Sequence, residues 1–272
     1  MTAGSLKVDN LDFLITVDPE RRIITDGAVL VEDGVIARVG KAADFRSLTA
    51  ERTIDATGMV ATPGFVNGHM HISYAHAVRG IFPDGVENRL GYVFRMQSVM
   101  TEEEEFDTSL LGTLELIRGG TTAFVDPGST RYPEACFAAY EQTGIRIVTG
   151  AQVTDRPNTI NLPVYSTAEA IERTELAIER LHGRLEGRVQ AWAMPFSAPT
   201  CSDDLLIAAN EVATAKGTRM TIHHFGGRRD DGRLSTRHLA DIGVLGPHLL
   251  LSHAMNLEPE EIQLIAETGT TV

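Results

Sequence analysis

At 272 residues, with 43% hydrophobic and 22% charged side chains, the chain has the make-up of a folded globular protein, which excludes disorder as the default. Its 25 Gly and 11 Pro are scattered as turn punctuation, which excludes collagen-like and low-complexity organisation. A net charge of −13 excludes the broad basic face that phosphate backbones and anionic lipids require, so neither a nucleic-acid nor a membrane partner is expected.

The first 58 residues read as a small β-rich module of the β-sandwich type. Leu11–Val17 is an apolar run closed by the turn pair Asp18-Pro19. Ala28–Glu32 and Val35–Gly40 flank Asp33-Gly34, and a two-residue Asp-Gly turn between apolar runs is a strong hairpin signal. Helical periodicity first occurs at Ala42–Ala50. From Met59 to Val272 the rhythm changes to alternating strands and helices. Strands are predicted over Met59–Val66, Thr121–Val125, Ile145–Thr149, Val189–Met194, Thr218–Ile222 and His248–Leu251. Helices are predicted over Thr101–Arg118, Tyr132–Thr143, Thr167–Leu185, Ser202–Lys216, Leu234–Ile242 and Glu258–Thr268. Thr101-Glu102-Glu103-Glu104 has the form of a capping box, and Gly144 and Gly269 stand just past two helix ends. A further strand begins at Thr270–Val272.

This alternation implies parallel βα units with a sheet buried on both faces. The favoured fold class is α/β, a (β/α)8 TIM-type barrel that is incomplete at about six and a half units, because polar residues cluster at strand C-termini. The two cysteines, Cys136 and Cys201, are too few for a disulfide framework and fit buried thiols of a cytoplasmic protein. The N-terminus lacks the apolar core of a signal peptide, and no apolar run nears the roughly 20 residues that span a bilayer.

Histidines carry the chemistry. His69 and His71 follow the first main-domain strand, and alternate residues of an extended segment share a side, so two neutral imidazoles can aim at one first-row cation. His223 and His224 end the fifth strand and His253 follows the sixth. Because neighbouring strand residues point oppositely, only one of His223 and His224 can be a ligand in a given register. Arg79 can reach a substrate carboxylate or pair on the surface. Gln152, after the third strand, can line the pocket floor.

Several motifs then act together: Ile54-Asp55-Ala56-Thr57-Gly58-Met59-Val60-Ala61-Thr62-Pro63-Gly64, Asn67-Gly68-His69-Met70-His71, Val78-Arg79-Gly80, Glu115-Leu116-Ile117-Arg118-Gly119-Gly120-Thr121-Thr122 and Ser252-His253-Ala254. The set resembles the amidohydrolase superfamily, in its branch of deaminases, triazine chlorohydrolases and carbamate and phenylurea hydrolases. That resemblance implies one divalent metal ion, Zn²⁺ or Fe²⁺, held by His69, His71 and His223. It also implies His253 as a further ligand or a group that supports the activated water and the tetrahedral intermediate. The fifth-strand ligand follows its strand directly, which favours His223 and leaves His224, with Arg79 and Gln152, as candidate substrate contacts. The implied reaction is hydrolysis of a non-peptide carbon–nitrogen bond or ring substituent of a small molecule by a metal-activated water. Deaminase and chlorohydrolase activity, or a catalytically inert metal-binding fragment, are the alternatives. Relatives of this kind are commonly homo-oligomers.

Two departures stand out against the resemblance. Many deaminases of the branch place a glutamate three residues after the fifth-strand histidine, whereas His223-His224-Phe225-Gly226 has glycine there. Amide, carbamate, urea or ring-substituent hydrolysis is therefore expected ahead of nucleobase-type deamination. The eighth-strand aspartate of the family has no counterpart, so a chain of roughly 400–480 residues is expected for the whole protein.

Overall fold

The computed structural model describes residues 4–83, 85–128 and 130–272. Two compact units result, Met1–Gly64 and Phe65–Val272.

The first unit is a β-sheet with two small cores. β1 (Leu6–Ile15), β2 (Ile23–Glu32), β3 (Val35–Lys41), β4 (Arg52–Asp55) and β5 (Val60–Ala61) are ordered β3-β2-β1-β4, with β5 also paired to β1. The Asp33-Gly34 turn joins β2 and β3 with both residues at positive φ, as a tight hairpin needs. Alternation along β2 sends Ala28 and Leu30 to a cluster with Phe45, while Val29 packs with Leu11 and Leu14. The periodicity of Ala42–Ala50 yields only a 3-10 turn at Ala42–Phe45.

The second unit is α/β with parallel strands. Its elements are β6 (Phe65–Asn67), α1 (Ile72–Val78), α2 (Arg89–Gln97), α3 (Glu102–Arg118), β7 (Thr121–Val125), α4 (Pro133–Thr143), β8 (Arg146–Thr149), β9 (Gln152–Val153), α5 (Thr167–Leu181), β10 (Val189–Ala191), β11 (Met194–Pro195), α6 (Asp203–Ala215), β12 (Met220–Phe225), α7 (Ser235–Asp241), β13 (Leu249–Met255) and α8 (Pro259–Thr268). β6, β7, β8 and β10 form one parallel sheet in chain order, β9 pairs with β11, and β12 pairs with β13. Parallel bridges Ala193–Met220 and Ser197–His223 join the neighbouring groups, and Leu250–Thr271 starts the next strand position. With β8 continued by β9 and β10 continued by β11, each strand position lies beside the next in sequence, and the strand C-termini point to one end. Two buried clusters support this arrangement: Leu205, Leu206, Met220, Ile222, Leu249 and Leu251 in one, and Phe124, Tyr140, Ile147 and Val189 in the other.

Local chemistry explains the helix ends. The Thr101 side chain accepts from the Glu104 N–H at 3.2 Å while the Glu104 carboxylate accepts from the Thr101 N–H at 2.7 Å, closing the predicted capping box on α3. Ser166 and Glu169 make the same reciprocal cap on α5. Gly144 and Gly269 end α4 and α8 in the left-handed conformation that favours glycine. Among the described residues no helix is long and apolar enough to cross a membrane.

The structure also departs from expectation. The single strand predicted over Met59–Val66 is two: β5 pairs with β1, β6 pairs with β7, and Pro63-Gly64 breaks the run between them. Between the predicted strand at Met59–Val66 and the predicted helix at Thr101, where no element was expected, the structure contains α1 and α2. α1 has no side-chain cap, and α2 follows Asn88 at positive φ, so neither start carries a sequence signal. α5 stops at Leu181 instead of Leu185, because Gly183, Leu185 and Glu186 adopt positive φ.

Ile147 in β8 is 1% exposed and packed between the sheet and its helices. Ile147→Ala is expected to lower stability by about 2–5 kcal/mol. Urea unfolding followed by circular dichroism will show this as a lower midpoint with an unchanged slope.

Candidate metal centre

The ends of β6, β12 and β13 bring four imidazoles together. After β6 the chain turns at Asn67, whose side-chain oxygen accepts the His69 N–H at 3.1 Å, and the Met70 N–H bonds the Val125 carbonyl at the end of β7. This pins the segment carrying His69 and His71. Their ring centroids lie 4.8 Å apart with the planes nearly perpendicular. His223, on β12, lies 4.9 Å from His69 and 5.2 Å from His71 by the same measure. His253, on β13, is 4.6 Å from His69 and 5.3 Å from His223.

The nitrogen atoms matter more than the centroids. One nitrogen from each of His69, His71 and His223 falls within 4.8 Å of the others. His223 donates its backbone N–H to the Phe196 carbonyl at 2.8 Å, and its ring Nδ1 lies 2.9 Å from the same oxygen. A carbonyl only accepts, so the proton sits on Nδ1 and Nε2 offers a lone pair. That Nε2 is 3.2 Å from Nε2 of His71. Two ligands at about 2.0–2.1 Å on a tetrahedral cation stand about 3.3 Å apart, so the spacing suits a shared ion. Both ring nitrogens of His69 are buried with no hydrogen-bond partner. An orphaned buried polar group costs about 1–3 kcal/mol, which a bound cation would remove. The donor set thus fits a first-row divalent metal.

Protonation agrees with this geometry. Burial, reinforced by the nearby His253, lowers the His69 pKa to about 4. Burial lowers His223 to about 3 against the opposing bond to Phe196, and burial with the neighbouring histidines holds His71 well below the ordinary value. His253 is also lowered by burial. At neutral pH all four rings are uncharged, the form that a cation binds.

β13 delivers His253 by an irregular route. His224 pairs with His253 and Phe225 with Met255, so Ala254 is an extra residue, and His253 and Ala254 have φ of 72° and 45°. Such a bulge at a strand end re-aims the side chain that follows the regular ladder.

The histidines lie in a cavity of about 950 Å³. Tyr74, Phe82, Val93 and Phe94 from the α1–α2 segment and Phe196, Phe225 and Met255 from the strand ends give it mostly apolar walls. Tyr74 stacks on His71 at 5.2 Å and Phe196 lies 4.3 Å from His223. None of the described lining residues is acidic.

The other expected contacts divide. Arg79 does reach the cavity rim, where its guanidinium bonds both oxygens of Glu115 at 3.1 and 3.2 Å. His224, expected as a substrate contact, does not line the cavity. It is 2% exposed, and its Nε2 meets the Thr236 hydroxyl at 2.8 Å on the other side of β12. Gln152 lines a different cavity, because the chain breaks from β8 at Gly150-Ala151 before β9 resumes. Phe196, Phe225 and the α2 residues were not singled out from sequence. Their aromatic character was visible, but their partners lie on distant segments.

These features define a parallel α/β protein with a histidine cluster at its strand C-termini that could hold a metal ion. The chain belongs to the amidohydrolase family, whose profile matches residues 60–272. It is 32% identical over 286 residues to a 5-methylthioadenosine/S-adenosylhomocysteine deaminase of Syntrophobacter fumaroxidans, covering 99% of this chain and 63% of that protein. It is 28% identical to a 5'-deoxyadenosine deaminase of Methanosarcina barkeri, covering 96% of this chain and 60% of the other. Among solved structures, a zinc-complexed atrazine chlorohydrolase from Arthrobacter aurescens TC1 is 25% identical with a TM-score of 0.83, covering 97% of this chain and 64% of that one. The chain therefore spans less than two thirds of the length of these relatives.

Behind His224, Glu261 in α8 is fully buried and organises the loop after β12. Its carboxylate accepts N–H groups from Gly227 at 2.9 Å, Glu258 at 3.0 Å and Thr236 at 2.9 Å. Burial raises its pKa, but the backbone hydrogen bonds together outweigh burial and leave it below the ordinary 4.5. A depressed carboxylate stabilises the fold above its unfolded value and loses that contribution as pH falls through the folded one. Glu261→Gln is expected to destabilise by about 1–3 kcal/mol at pH 7. The gap from the unsubstituted protein should narrow once pH falls below 4.5, read by denaturant midpoints across pH.

Proposed function

We propose that the chain carries the metal-binding part of a hydrolase that acts on a non-peptide carbon–nitrogen bond or ring substituent of a small molecule. The observation that carries this reading is His69, with two buried, unpartnered ring nitrogens among two other imidazoles that each offer a lone pair. His69, His71 and His223 would hold one divalent ion, most simply Zn²⁺. When bound, such an ion lowers the pKa of water toward 7 and polarises an electrophilic carbon. We further propose that the consecutive parallel strands belong to a (β/α)8-type barrel, as the likeness to the chlorohydrolase supports. The two buried free thiols, Cys136 and Cys201, support a cytoplasmic setting.

The chain's own residues then have separable tasks. The proton on His223 Nδ1 is committed to Phe196, which keeps Nε2 available and fixes the ring plane. His253 is neutral and stands at the exposed rim, so its ring can accept a proton or orient a polar group of the substrate. The aromatic walls exclude water and receive a flat apolar body, while Arg79, paired with Glu115, stands at the mouth.

Gly226 bears on the leaving group. A Cβ there would stand 2.7 Å from the Leu257 Cα, 2.7 Å from the Glu261 carboxylate and 2.8 Å from the Asn256 carbonyl oxygen. The backbone closes the position, so no side chain at 226 can relay a proton without the loop moving. This favours leaving groups that need little proton help. The adenosine-type deaminases among the relatives favour a second reading, deamination of an aminated heteroaromatic ring.

Two measurements test these proposals. After zinc loading and dialysis, elemental analysis should find one equivalent per chain. His69→Ala, His71→Ala or His223→Ala should each weaken binding by at least the 10- to 100-fold typical of losing a supporting partner, whereas His224→Ala should keep the stoichiometry. Retention of zinc by all three ligand variants would overturn the site. In the zinc-loaded protein, release of chloride or amine from ring-substituted triazines and phenylureas should exceed ammonia release from adenosine-type nucleosides. The reverse order would establish the deaminase reading.

A further inference from the structure

We propose that the chain has a second small-molecule site, a cavity of about 600 Å³ beside α5 that takes a flat organic anion such as an aromatic carboxylate. This proposal does not rest on the hydrolase reading. Three observations carry it.

The first is the face that α5 presents. Arg173, Leu176, Ala177, Arg180 and Leu181 all line the cavity. Their spacing of three and four residues makes them one stripe of the helix. The core face of the helix is Ala170, Thr174, Ile178 and Leu181, whereas Arg173, Leu176 and Arg180 are exposed and set two guanidinium groups beside aliphatic side chains at the open side of the cavity. Arg173 stacks over the Tyr165 ring at 4.1 Å, which holds its charge against the wall.

The second is the charge balance of the lining. Glu134 is the one acid among the described lining residues, and Arg184 already binds both its oxygens at 3.0 and 3.1 Å. Arg131 is committed to backbone carbonyls of Gln97 and Met100 at 3.2 Å each. Arg173 and Arg180 therefore leave the cavity positive, which suits a carboxylate.

The third is Gln152. Its side-chain oxygen is buried and has no hydrogen-bond partner. It needs a donor, so a ligand carrying a hydroxyl opposite its carboxylate would satisfy both ends, with its ring against Tyr165 and Leu162. This assigns a role to Gln152 away from the histidines. Phe94 lines both cavities and contacts Tyr74 and Phe196, the rings that lean on His71 and His223. An occupant of the second cavity would thus share a wall with the histidine site.

The probe is 4-hydroxybenzoate, titrated into the full chain and followed by calorimetry and by amide chemical shifts. Saturable one-to-one binding is expected with a dissociation constant on the order of 1 mM or tighter, given the probe's small size. Arg173 and Arg180 are exposed, so the Arg173→Gln/Arg180→Gln double variant should fold normally, with an unchanged melting midpoint, and weaken binding at least tenfold. Gln152→Leu should weaken 4-hydroxybenzoate but not benzoate, which lacks the donor. Arg79→Gln, at the rim of the histidine cavity, should have no effect. Absence of saturation, binding indifferent to the double variant, or binding weakened by Arg79→Gln instead would each overturn the proposal.

Discussion

An imidazole nitrogen withdrawn from water must find a donor, an acceptor or an ion, and this requirement organises the second unit. His69 meets neither donor nor acceptor, while His223 has one nitrogen committed and the other facing His71. Four such rings cannot be packed together in their charged form, since burial and mutual repulsion both oppose protonation. Their neutral state follows from the packing itself. The strands matter because they fix where each ring begins: the Asn67 turn, the β12 ladder and the β13 bulge each set one approach. Rigid backbone at these points removes the freedom that would let the rings drift apart into solvent.

The histidine set was legible in the sequence because it depends on a simple regularity. Strand ends in a parallel α/β unit gather at one side, so polar residues placed there meet whatever the loops do. His69, His71, His223 and His253 obey that rule and the structure brings them together. His224 shows its limit. Alternation says that His223 and His224 face opposite ways, but which of them faces the cavity is settled by Thr236 and Glu261, in α7 and α8. Gln152 was misplaced because position after a strand was read as direction, and the step from β8 to β9 breaks the register.

The α1–α2 segment was illegible for a different reason. Its helices are short, start without side-chain caps and are interrupted by Gly80, Pro83 and Gly85. Their stability comes from packing: Ile72 enters the core, and Tyr74, Val93 and Phe94 cluster with Phe196 and Leu162. Gly226 belongs with these non-local effects. Its need for a bare Cα is imposed by α8 and the turn before it, which no window around β12 displays.

One consequence follows from the way the cavity is assembled. The imidazoles stand at strand ends held by backbone hydrogen bonds, whereas much of the surrounding wall comes from a capless helical excursion held by side-chain packing and by side-chain bonds from Thr108, Arg131 and Asn161 to its carbonyls. Exchanging Tyr74, Phe82 or Val93 would therefore reshape what the chamber admits while the imidazole cluster keeps its backbone anchors.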